Sequence, residues 1–318
     1  MDDRPLILGV DGGGTKTVAC LALGRLASQA EDPQWTILGQ GNSGSSNQQA
    51  VGRELATASL EEAITQAFLA ASLDLGPVSS LCLALAGSDR TADKDFIQEW
   101  AQQFIPAEHL CIVNDAVPLL VAGTPDQWGI ALIAGTGSFC WGRNPGGQTA
   151  RAGGWGYLMG DEGSGFSLGQ AALQAVAQNI DGRGPQTTLV AKLLNTFNCQ
   201  QPEELIKAVY GSAERRTPIA ALAPIVLEEA AAGDPIALKI INQAAQSLTT
   251  MVESVAQQLG FQDRFPLVLA GGLLTSSPLL QGKLGEQMQD RGLTAEPLQS
   301  LVSPVLGTLQ LAQQSLET

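Results

Sequence analysis

Histidine and cysteine are scarce in this chain of 318 residues, which has one histidine and five cysteines. The single His109 cannot form a histidine metal cluster, and we expect a structural role for it. The cysteines are odd in number and show no C-x-x-C spacing, and three of them lie in apolar strand-like segments. We therefore expect buried, reduced thiols, as in a cytoplasmic protein. They are Cys20, Cys82, Cys111, Cys140 and Cys199.

Basic residues and long apolar runs are also few. The chain has 17 lysines and arginines against 31 aspartates and glutamates, a formal net charge of −14. This balance argues against a nucleic acid or an anionic membrane as partner, since either needs a basic face, but a nucleotide remains compatible. No apolar run approaches the roughly 18 residues of a membrane span. Residues 1–5 lack the features of a signal peptide, so we expect a cytoplasmic location.

Glycine, by contrast, is plentiful, with 36 residues, and two glycine turns recur in similar surroundings. Both the turn at Asp11–Thr15 and the turn at Gly135–Ser138 join two apolar, strand-like runs. Such turns direct several N–H and hydroxyl donors into one concavity, which suits a phosphate. Because each turn opens one lobe, we predict an interlobe cleft that holds a polyphosphate from both sides.

Neither turn matches the better-known phosphate motifs. A Walker loop needs G-x-x-x-x-G-K-[ST], and a dinucleotide fingerprint begins a helix rather than a second strand. For either turn taken alone, a plain hairpin turn is the competing interpretation.

The order of predicted elements indicates a duplicated α/β protein. The length suggests two domains. Three strands precede a strand–helix alternation, and this order restarts near Gly129 with a helical insertion at about 186–260. Within the first copy we predict a strand at Trp35–Gly39 and one helix from Ala50 to about Leu73. We place the lobes at residues 1–120 and 121–302, with a C-terminal helix at about 303–318 packing back on the first.

Two aspartates follow predicted strands. Asp11 precedes the first turn and could hold Mg²⁺ directly or through water, or it could cap its own turn. Thr15 and Thr136 would donate to phosphate oxygens. Asp115 follows a strand that ends at Val113, where ligands bind in α/β domains. It could take a proton from a hydroxyl nucleophile, as a kinase requires, or cap the following helix.

The second lobe contains a loop typical of sugar sites. Trp155 and Tyr157 lie among glycines in this loop, and Asp161 and Glu162 add acceptors for hydroxyls. A compact loop fixed by a buried tryptophan is the alternative. Further along, Gly271-Gly272 after an apolar strand would let a flat base lie on the backbone, or would simply begin a helix.

In their order, these motifs resemble the actin/Hsp70/sugar-kinase superfamily. Within it they resemble the family that joins N-acetylglucosamine kinases with the ATPase activators of benzoyl-CoA reductase. The motifs span nearly the whole chain: D-G-G-G-T at 11–15, N-D-A at 114–116, G-T-G-S at 135–138, G-G-W-G at 153–156, G-D-E-G-S at 160–164 and A-G-G at 270–272. The resemblance implies an α/β protein with a duplicated ribonuclease H-like (actin-like ATPase) fold, and a homodimer.

The resemblance also implies residue roles. Asp115 would be the catalytic aspartate that activates the sugar 6-hydroxyl, and Asp11 would hold Mg²⁺. ATP would be bound by Asp11, Gly12, Gly13, Gly14, Thr15, Gly135, Thr136, Gly137, Gly271 and Gly272. The amino sugar would contact Asn47, Asp115, Ser138, Gly154, Trp155, Gly156 and Asp161. Phe139 stands where the kinase pattern can have a sugar-contacting asparagine, which leaves open N-acetylglucosamine, glucosamine, N-acetylmuramic acid and its anhydro form.

We therefore expect an ATP-dependent kinase that phosphorylates the 6-hydroxyl of an amino sugar, with N-acetylglucosamine and glucosamine as the first candidates. The alternative is an ATPase activator or a nucleotide-binding sensor of the same fold. Reductase activators hold an iron–sulfur cluster between subunits through cysteines, and the scattered cysteines do not suit that role. The Cys/His zinc motif of repressor-type sugar kinases is missing from the sequence.

Overall fold

The computed structural model describes residues 4–25, 35–88, 90–124, 126–211, 215–262, 264–300 and 303–317. The chain divides into two compact units: unit 1 comprises Met1–Gln127 and Ser303–Thr318, and unit 2 comprises Trp128–Val302. The strands are β1 (Leu6–Gly12), β2 (Thr17–Gly24), β3 (Trp35–Ser43), β4 (Val78–Leu85), β5 (Ala107–Val113), β6 (Gly129–Ala134), β7 (Ser138–Arg143), β8 (Thr149–Gly153), β9 (Arg264–Ala270) and β10 (Thr294–Ser300). The helices are α1 (Gln48–Val51), α2 (Arg53–Ala70), α3 (Thr91–Phe104), α4 (Val117–Gly123), α5 (Gly165–Ile180), α6 (Leu189–Thr196), α7 (Glu204–Tyr210), α8 (Arg216–Ala220), α9 (Ala223–Ala231), α10 (Pro235–Gln258), α11 (Gly272–Thr275), α12 (Pro278–Asp290) and α13 (Val305–Ser315).

Unit 1 is built on a sheet in the order β3-β2-β1-β4-β5. The first three strands are antiparallel, and β1, β4 and β5 are parallel. Side chains alternate between the two faces of a strand. Leu8 and Val10 of β1 therefore pack in the core that includes α2 and α3, whereas Ile7 packs in the core that includes α13. Helices cover both faces, which explains the nearly continuous apolar runs of β1 and β4.

The C-terminal helix α13 lies directly on β1. A Cβ atom at Gly9 would lie 2.2 Å from Thr308 Oγ1, so only glycine allows this close approach. A Cβ atom at Gly307 would lie 2.1 Å from the carbonyl oxygen of Pro118 in α4. The division expected after residue 120 thus falls inside α4, and the structure extends unit 1 to Gln127 because α4 packs against α13.

Unit 2 repeats the same plan. Its sheet has the order β8-β7-β6-β9-β10, with β6, β7 and β8 antiparallel and β6, β9 and β10 parallel. The core combines this sheet with the helices between β8 and β9, of which α10 is the longest with 24 residues. Asp234 begins α10 by accepting hydrogen bonds from the backbone nitrogens of Ile236 and Ala237. The repeated strand order confirms the predicted duplicated α/β fold.

Several element bounds differ from the sequence predictions. The single helix expected from Ala50 is two helices, because Gly52 lies between them with φ of +82°. The strand expected to end at Gly39 continues to Ser43. No bounds were predicted for β8 and β10, because these edge strands have no fully buried residue and no continuous apolar run. None of the helices in the described ranges is long and apolar enough to cross a membrane.

Candidate active site

In unit 1 the parallel strands end together at one edge of the sheet. The backbone nitrogen of Ala86, just after β4, donates to the carbonyl oxygen of Gly12 at the end of β1 (2.8 Å). The buried Ser88 hydroxyl reaches the carbonyl oxygens of Leu85 (2.7 Å) and Val113 (3.2 Å), which end β4 and β5. This edge therefore carries the first glycine turn and, after β5, the segment that contains Asp115.

The first glycine turn is a hairpin loop that is held by hydrogen bonds to the segment after β3. The nitrogen of Gly13 donates to the carbonyl oxygen of Lys16 (2.9 Å). The hydroxyl of Thr17 donates to the Gly44 carbonyl (2.8 Å), and Ser45 Oγ donates to the Gly13 carbonyl (3.3 Å). Gly14 and Thr15 at the tip are exposed, so the backbone of the tip is accessible to a ligand.

Asp11 is the carboxylate of this turn. Burial raises the pKa of Asp11 to about 6, and the positive charge of Lys16 opposes this effect. Magnesium binds proteins through one or two carboxylates and completes its shell with water and substrate phosphates. The described residues contain no group of three or more His, Cys, Asp or Glu side chains that could hold a metal by themselves. The single carboxylate of Asp11 therefore fits Mg²⁺ held jointly with phosphates.

Asp115 lies in the turn that follows β5, where it is half-buried. The helix α4 has Ala116 at its N-cap position, and Asn114 Oδ1 accepts the hydrogen bond of the Ala116 nitrogen (2.9 Å). This bond forms a turn just before the helix and is not a cap, because a capping side chain accepts from a nitrogen of the first helical turn; α4 has no side-chain cap. A half-buried carboxylate at the carboxyl end of a parallel strand has the position expected of a general base.

Asn47 lies at the same edge. Its Oδ1 accepts the hydrogen bond of the Gln49 nitrogen (3.0 Å) and begins α1. A Cβ atom at Gly87 would lie 2.9 Å from this Oδ1, and Gly87 directly precedes Ser88, which joins β4 to β5. The structure therefore brings Asn47 to the edge where Asp11 and Asp115 lie.

The second glycine turn, in unit 2, is held by the start of α5. The nitrogen of Gly135 donates to the Gly137 carbonyl (2.9 Å), which closes the turn. The nitrogens of Gly165 and Phe166 donate to the carbonyl oxygens of Gly135 (2.7 Å) and Thr136 (3.2 Å). The backbone of this turn is thus fixed on the side of α5.

Gly271 and Gly272 lie next to this second turn. A Cβ atom at Gly135 would lie 3.9 Å from the Gly271 Cα. Gly271 has φ of +87°, and a Cβ atom there would lie 2.4 Å from the Ala134 carbonyl oxygen, so the position requires glycine. Gly271 is the N-cap residue of α11. The structure thus brings together the two segments of unit 2 that were predicted to contact the nucleotide.

Asp161 is buried rather than displayed on the loop surface, with 3% of its surface exposed. Its Oδ1 accepts the hydrogen bond of the Ser138 nitrogen (3.2 Å), and its Oδ2 pairs with Arg216 Nη2 (3.0 Å). The Ser138 hydroxyl donates to the Glu162 carbonyl (2.7 Å), and the Gly154 nitrogen donates to the Ser138 carbonyl (3.2 Å). The predicted sugar residues Ser138, Gly154 and Asp161 therefore form one hydrogen-bonded group.

The loop that carries Trp155 and Gly156 is apolar and exposed. Trp155 is 64% exposed and Leu158 is 84% exposed, so the alternative of a loop fixed by a buried tryptophan does not describe the structure. The Arg151 guanidinium lies 5.2 Å from the Trp155 ring centroid. Tyr157 is less exposed than these residues, because its ring packs on Phe166 at a centroid distance of 5.0 Å.

Sequence reasoning missed the residues that support these turns. In unit 1, Ser45 and Ser88 donate hydrogen bonds to backbone carbonyls at the ends of strands. Each serine belongs to a Gly/Ser-rich segment that follows a strand, and this composition could have indicated its role. In unit 2, Arg216 pairs with Asp161 across 55 positions of sequence. No local pattern could have indicated that pair.

Three comparisons with known proteins bear on this site. The sequence matches the BadF/BadG/BcrA/BcrD ATPase family over residues 8–312. It is 32% identical over 324 residues to the N-acetyl-D-glucosamine kinase of Dictyostelium discoideum, covering 98% of this chain and 99% of the relative. It is also 32% identical over 271 residues to the N-acetylmuramic acid/N-acetylglucosamine kinase of Clostridium acetobutylicum, covering 85% and 86%.

A solved structure gives the same result for the fold. A proposed N-acetylglucosamine kinase from Chromobacterium violaceum is 29% identical, with a TM-score of 0.76 over 98% of this chain and 99% of the other. The family match includes both glycine turns and Asp115, and the two relatives cover 98% and 85% of this chain. The resemblance indicated by the ordered motifs is therefore confirmed, and the chain belongs to the BadF/BadG/BcrA/BcrD ATPase family.

Proposed function

We propose that this protein transfers the γ-phosphate of ATP to the 6-hydroxyl of an amino sugar, with N-acetylglucosamine and glucosamine as the first candidates. The broader class, an ATP-dependent sugar kinase, follows from relatives that are kinases over nearly their whole length. One observation carries the site assignment: unit 1 places the first glycine turn, Asn47 and Asp115 at one edge of its sheet. The proposed phosphate site and the candidate base would therefore be carried by one sheet.

The nucleotide would be bound by backbone donors. We assign its phosphates to the turns at Asp11–Thr15 and Gly135–Gly137, and its adenosine to Gly271 and Gly272. Both turns are held by backbone hydrogen bonds, and fixed donors need no rearrangement when the ligand binds. The sugar would contact Asn47, Asp115, Ser138, Gly154, Trp155, Gly156 and Asp161.

Asp115 would act as the general base. Its carboxylate accepts the proton of the 6-hydroxyl while the oxygen bonds to the γ-phosphorus, and the bond from that phosphorus to the bridging oxygen of ADP breaks. Catalysis of this kind depends mainly on positioning and charge neutralisation.

We assign Mg²⁺ to Asp11. When bound there it would neutralise phosphate charge. Burial raises the pKa of Asp11 by more than the charge of Lys16 lowers it, so a divalent cation would add to the positive charge that stabilises this anion.

The cysteines argue against the alternative of a reductase activator. An iron–sulfur cluster shared between two subunits needs cysteine thiolates at the surface where the subunits meet. Cys82 and Cys111 are opposite each other on β4 and β5, but Cys82 is completely buried in the core under α13. Cys20 and Cys140 are buried as well. The sensor alternative differs from a kinase only in the absence of phosphate transfer, which the following assay measures.

The test is a coupled assay of ADP release with Mg²⁺ across hexoses and amino sugars, with a control that lacks sugar. We expect ADP release that depends on an amino sugar, and a 6-phosphate product identified by ³¹P NMR. Replacement of the substrate by its 6-deoxy analogue should abolish turnover. ADP release that is independent of any sugar would favour the ATPase activator, and ATP binding without turnover would favour the sensor.

The variant Asp115→Asn separates binding from transfer. We expect kcat to fall by about 10²–10⁴, with ATP binding unchanged. Asp95→Asn is the matched control, because Asp95 is an exposed aspartate of the same unit. Unchanged turnover in Asp115→Asn would remove Asp115 from the mechanism.

Two parts of the proposal concern the state of the protein in the cell. A homodimer follows from the resemblance alone, and light scattering coupled to size exclusion tests it. A cytoplasmic location is supported by the free cysteines Cys20, Cys82, Cys111, Cys140 and Cys199, and fractionation tests it.

A further inference from the structure

We infer that Arg216 is a positioning residue for the second glycine turn. By pairing with the buried Asp161, it holds Gly137 and Ser138 in place. The pairing also neutralises the negative charge of Asp161 near the proposed binding site of the nucleotide's phosphates. This inference rests on the proposed role of the turn in binding ATP. It assigns a function to a residue of the helical insertion, which no motif identified.

The contacts between the turn and the ion pair are direct. Asp161 uses one carboxylate oxygen to accept the hydrogen bond of the Ser138 nitrogen (3.2 Å). The other oxygen pairs with Arg216 Nη2 (3.0 Å), and the two side chains are 4% and 24% exposed. Asp161 also has a left-handed backbone, with φ of +61°. A non-glycine residue in this conformation is uncommon and persists where its surroundings fix it.

Gly137 is packed against the ion pair itself. A Cβ atom at Gly137 would lie 2.6 Å from Arg216 Nη2 and 2.9 Å from each carboxylate oxygen of Asp161. The pair therefore fills the space behind the turn, and it cannot move without changing the support of the backbone at Gly137.

The charge of Arg216 matters because of its neighbour. A buried carboxylate that has lost its partner is strongly unfavourable, and near a polyphosphate it would also repel the ligand. With Arg216 in place the pair is neutral overall, and Asp161 can hold the Ser138 nitrogen without opposing phosphate binding. Loss of the arginine should therefore affect phosphate-bearing ligands far more than adenosine.

A second observation points to a ligand near Arg216. Its Nε atom is buried and forms no hydrogen bond with any residue that the structure describes. Buried donors are nearly always paired, so an acceptor brought next to this N–H by a bound molecule would satisfy it. The guanidinium also lies 5.9 Å from the Tyr157 ring centroid, and Tyr157 packs on Phe166, whose nitrogen donates to Thr136 of the same turn.

The test measures binding of ATP and of adenosine to the full chain by calorimetry, with Mg²⁺ and without sugar. For Arg216→Gln we expect the Kd of ATP to rise at least about tenfold, with the Kd of adenosine changed by less than about twofold. Arg216→Lys, which keeps the charge, should recover part of the ATP affinity. The matched control is Arg215→Gln, which removes the same charge at the preceding, exposed residue and should leave both constants unchanged.

A double variant makes the test independent of a simple loss of structure. Asp161→Asn combined with Arg216→Gln removes the carboxylate that the arginine neutralises, so it should bind ATP more tightly than Arg216→Gln alone. The inference would be overturned if the effects of Asp161→Asn and Arg216→Gln on the Kd of ATP were additive, or if wild type and Arg216→Gln bound ATP equally well. If Arg216→Gln does not fold, the comparison of Arg216→Lys and the double variant with wild type decides in the same way. Wild type that does not bind ATP would instead contradict the proposed function.

Discussion

Replacement of Asp11 by asparagine should make the ligand-free protein more stable at neutral pH, although the same change should abolish kinase activity. Burial raises the pKa of Asp11 from 3.8 to about 6, so the folded protein holds this proton more tightly than the unfolded chain does. Between about pH 4 and pH 6 the folded state therefore binds more protons, and its stability falls as the pH rises through this window. Above pH 6 the full cost of the buried carboxylate is present.

The magnitude follows from the same pKa values. A rise from 3.8 to about 6 corresponds to about 3 kcal/mol, at 1.36 kcal/mol for each pKa unit. For a domain of this size, each kcal/mol shifts Tm by about 2–4 °C. The asparagine variant lacks the titrating group, so its Tm at pH 8 should exceed that of wild type by roughly 6–12 °C. At pH 4 the two proteins should melt together.

The assay is differential scanning calorimetry from pH 4 to pH 8 in EDTA and without phosphate, so that no metal or anion compensates Asp11. Asp74→Asn is the matched control, because it removes an exposed carboxylate of the same unit and should not change the pH dependence. Equal Tm values for wild type and Asp11→Asn at pH 8 would refute the reasoning. Addition of Mg²⁺ and ATP should raise the Tm of wild type more than that of the variant.

Three further outcomes test other parts of the structure. Gly271→Ala should lower the Tm of the protein and its ATP affinity, because its Cβ would lie 2.4 Å from the Ala134 carbonyl oxygen; an unchanged Tm would show that the segment adapts. At pH 7, iodoacetamide should modify Cys111 faster than Cys82, since the hydrogen bond from Cys82 lowers the pKa of Cys111 to about 7. Peptide mass spectrometry measures the two rates of modification, and equal rates would contradict the prediction. Asp234→Ala should lower the free energy of unfolding by about 1–3 kcal/mol in urea titrations, because the carboxylate begins α10; a change below 0.5 kcal/mol would be too small for a buried cap.

The fold was largely predictable because its signals are local. A buried parallel strand is a continuous apolar run, and each glycine turn stands directly after such a run. The edge strands β8 and β10 lack that signal, since their residues remain partly exposed even in the folded protein. The break at Gly52 was also missed, because one glycine inside a helical pattern does not by itself end a helix.

The site was predictable only in part, for a related reason. The residues on the turns and at strand ends belong to short motifs that the sequence displays. Their supports come from elsewhere in the chain: Ser88 bridges the ends of two strands, and Arg216 reaches Asp161 from the helical insertion. The hydrogen bond from the Ala116 nitrogen to Asn114 Oδ1 depends on side-chain geometry that residue types alone do not determine. Pairing between distant residues needs the folded backbone.

The position of α13 has a consequence for synthesis of the protein on the ribosome. The residues of α13 belong to unit 1 but are translated after the whole of unit 2. One face of the unit 1 sheet therefore remains uncovered while the ribosome adds the roughly 175 residues of unit 2. That face includes Ile7, Ala22 and Cys82, which are fully buried only when Leu309 and its neighbours arrive. Until then the nascent chain presents an apolar surface of the kind that chaperones bind. A premature stop before α13 would leave this surface permanently open, and such a product should be aggregated or degraded even though every residue of the two glycine turns is present.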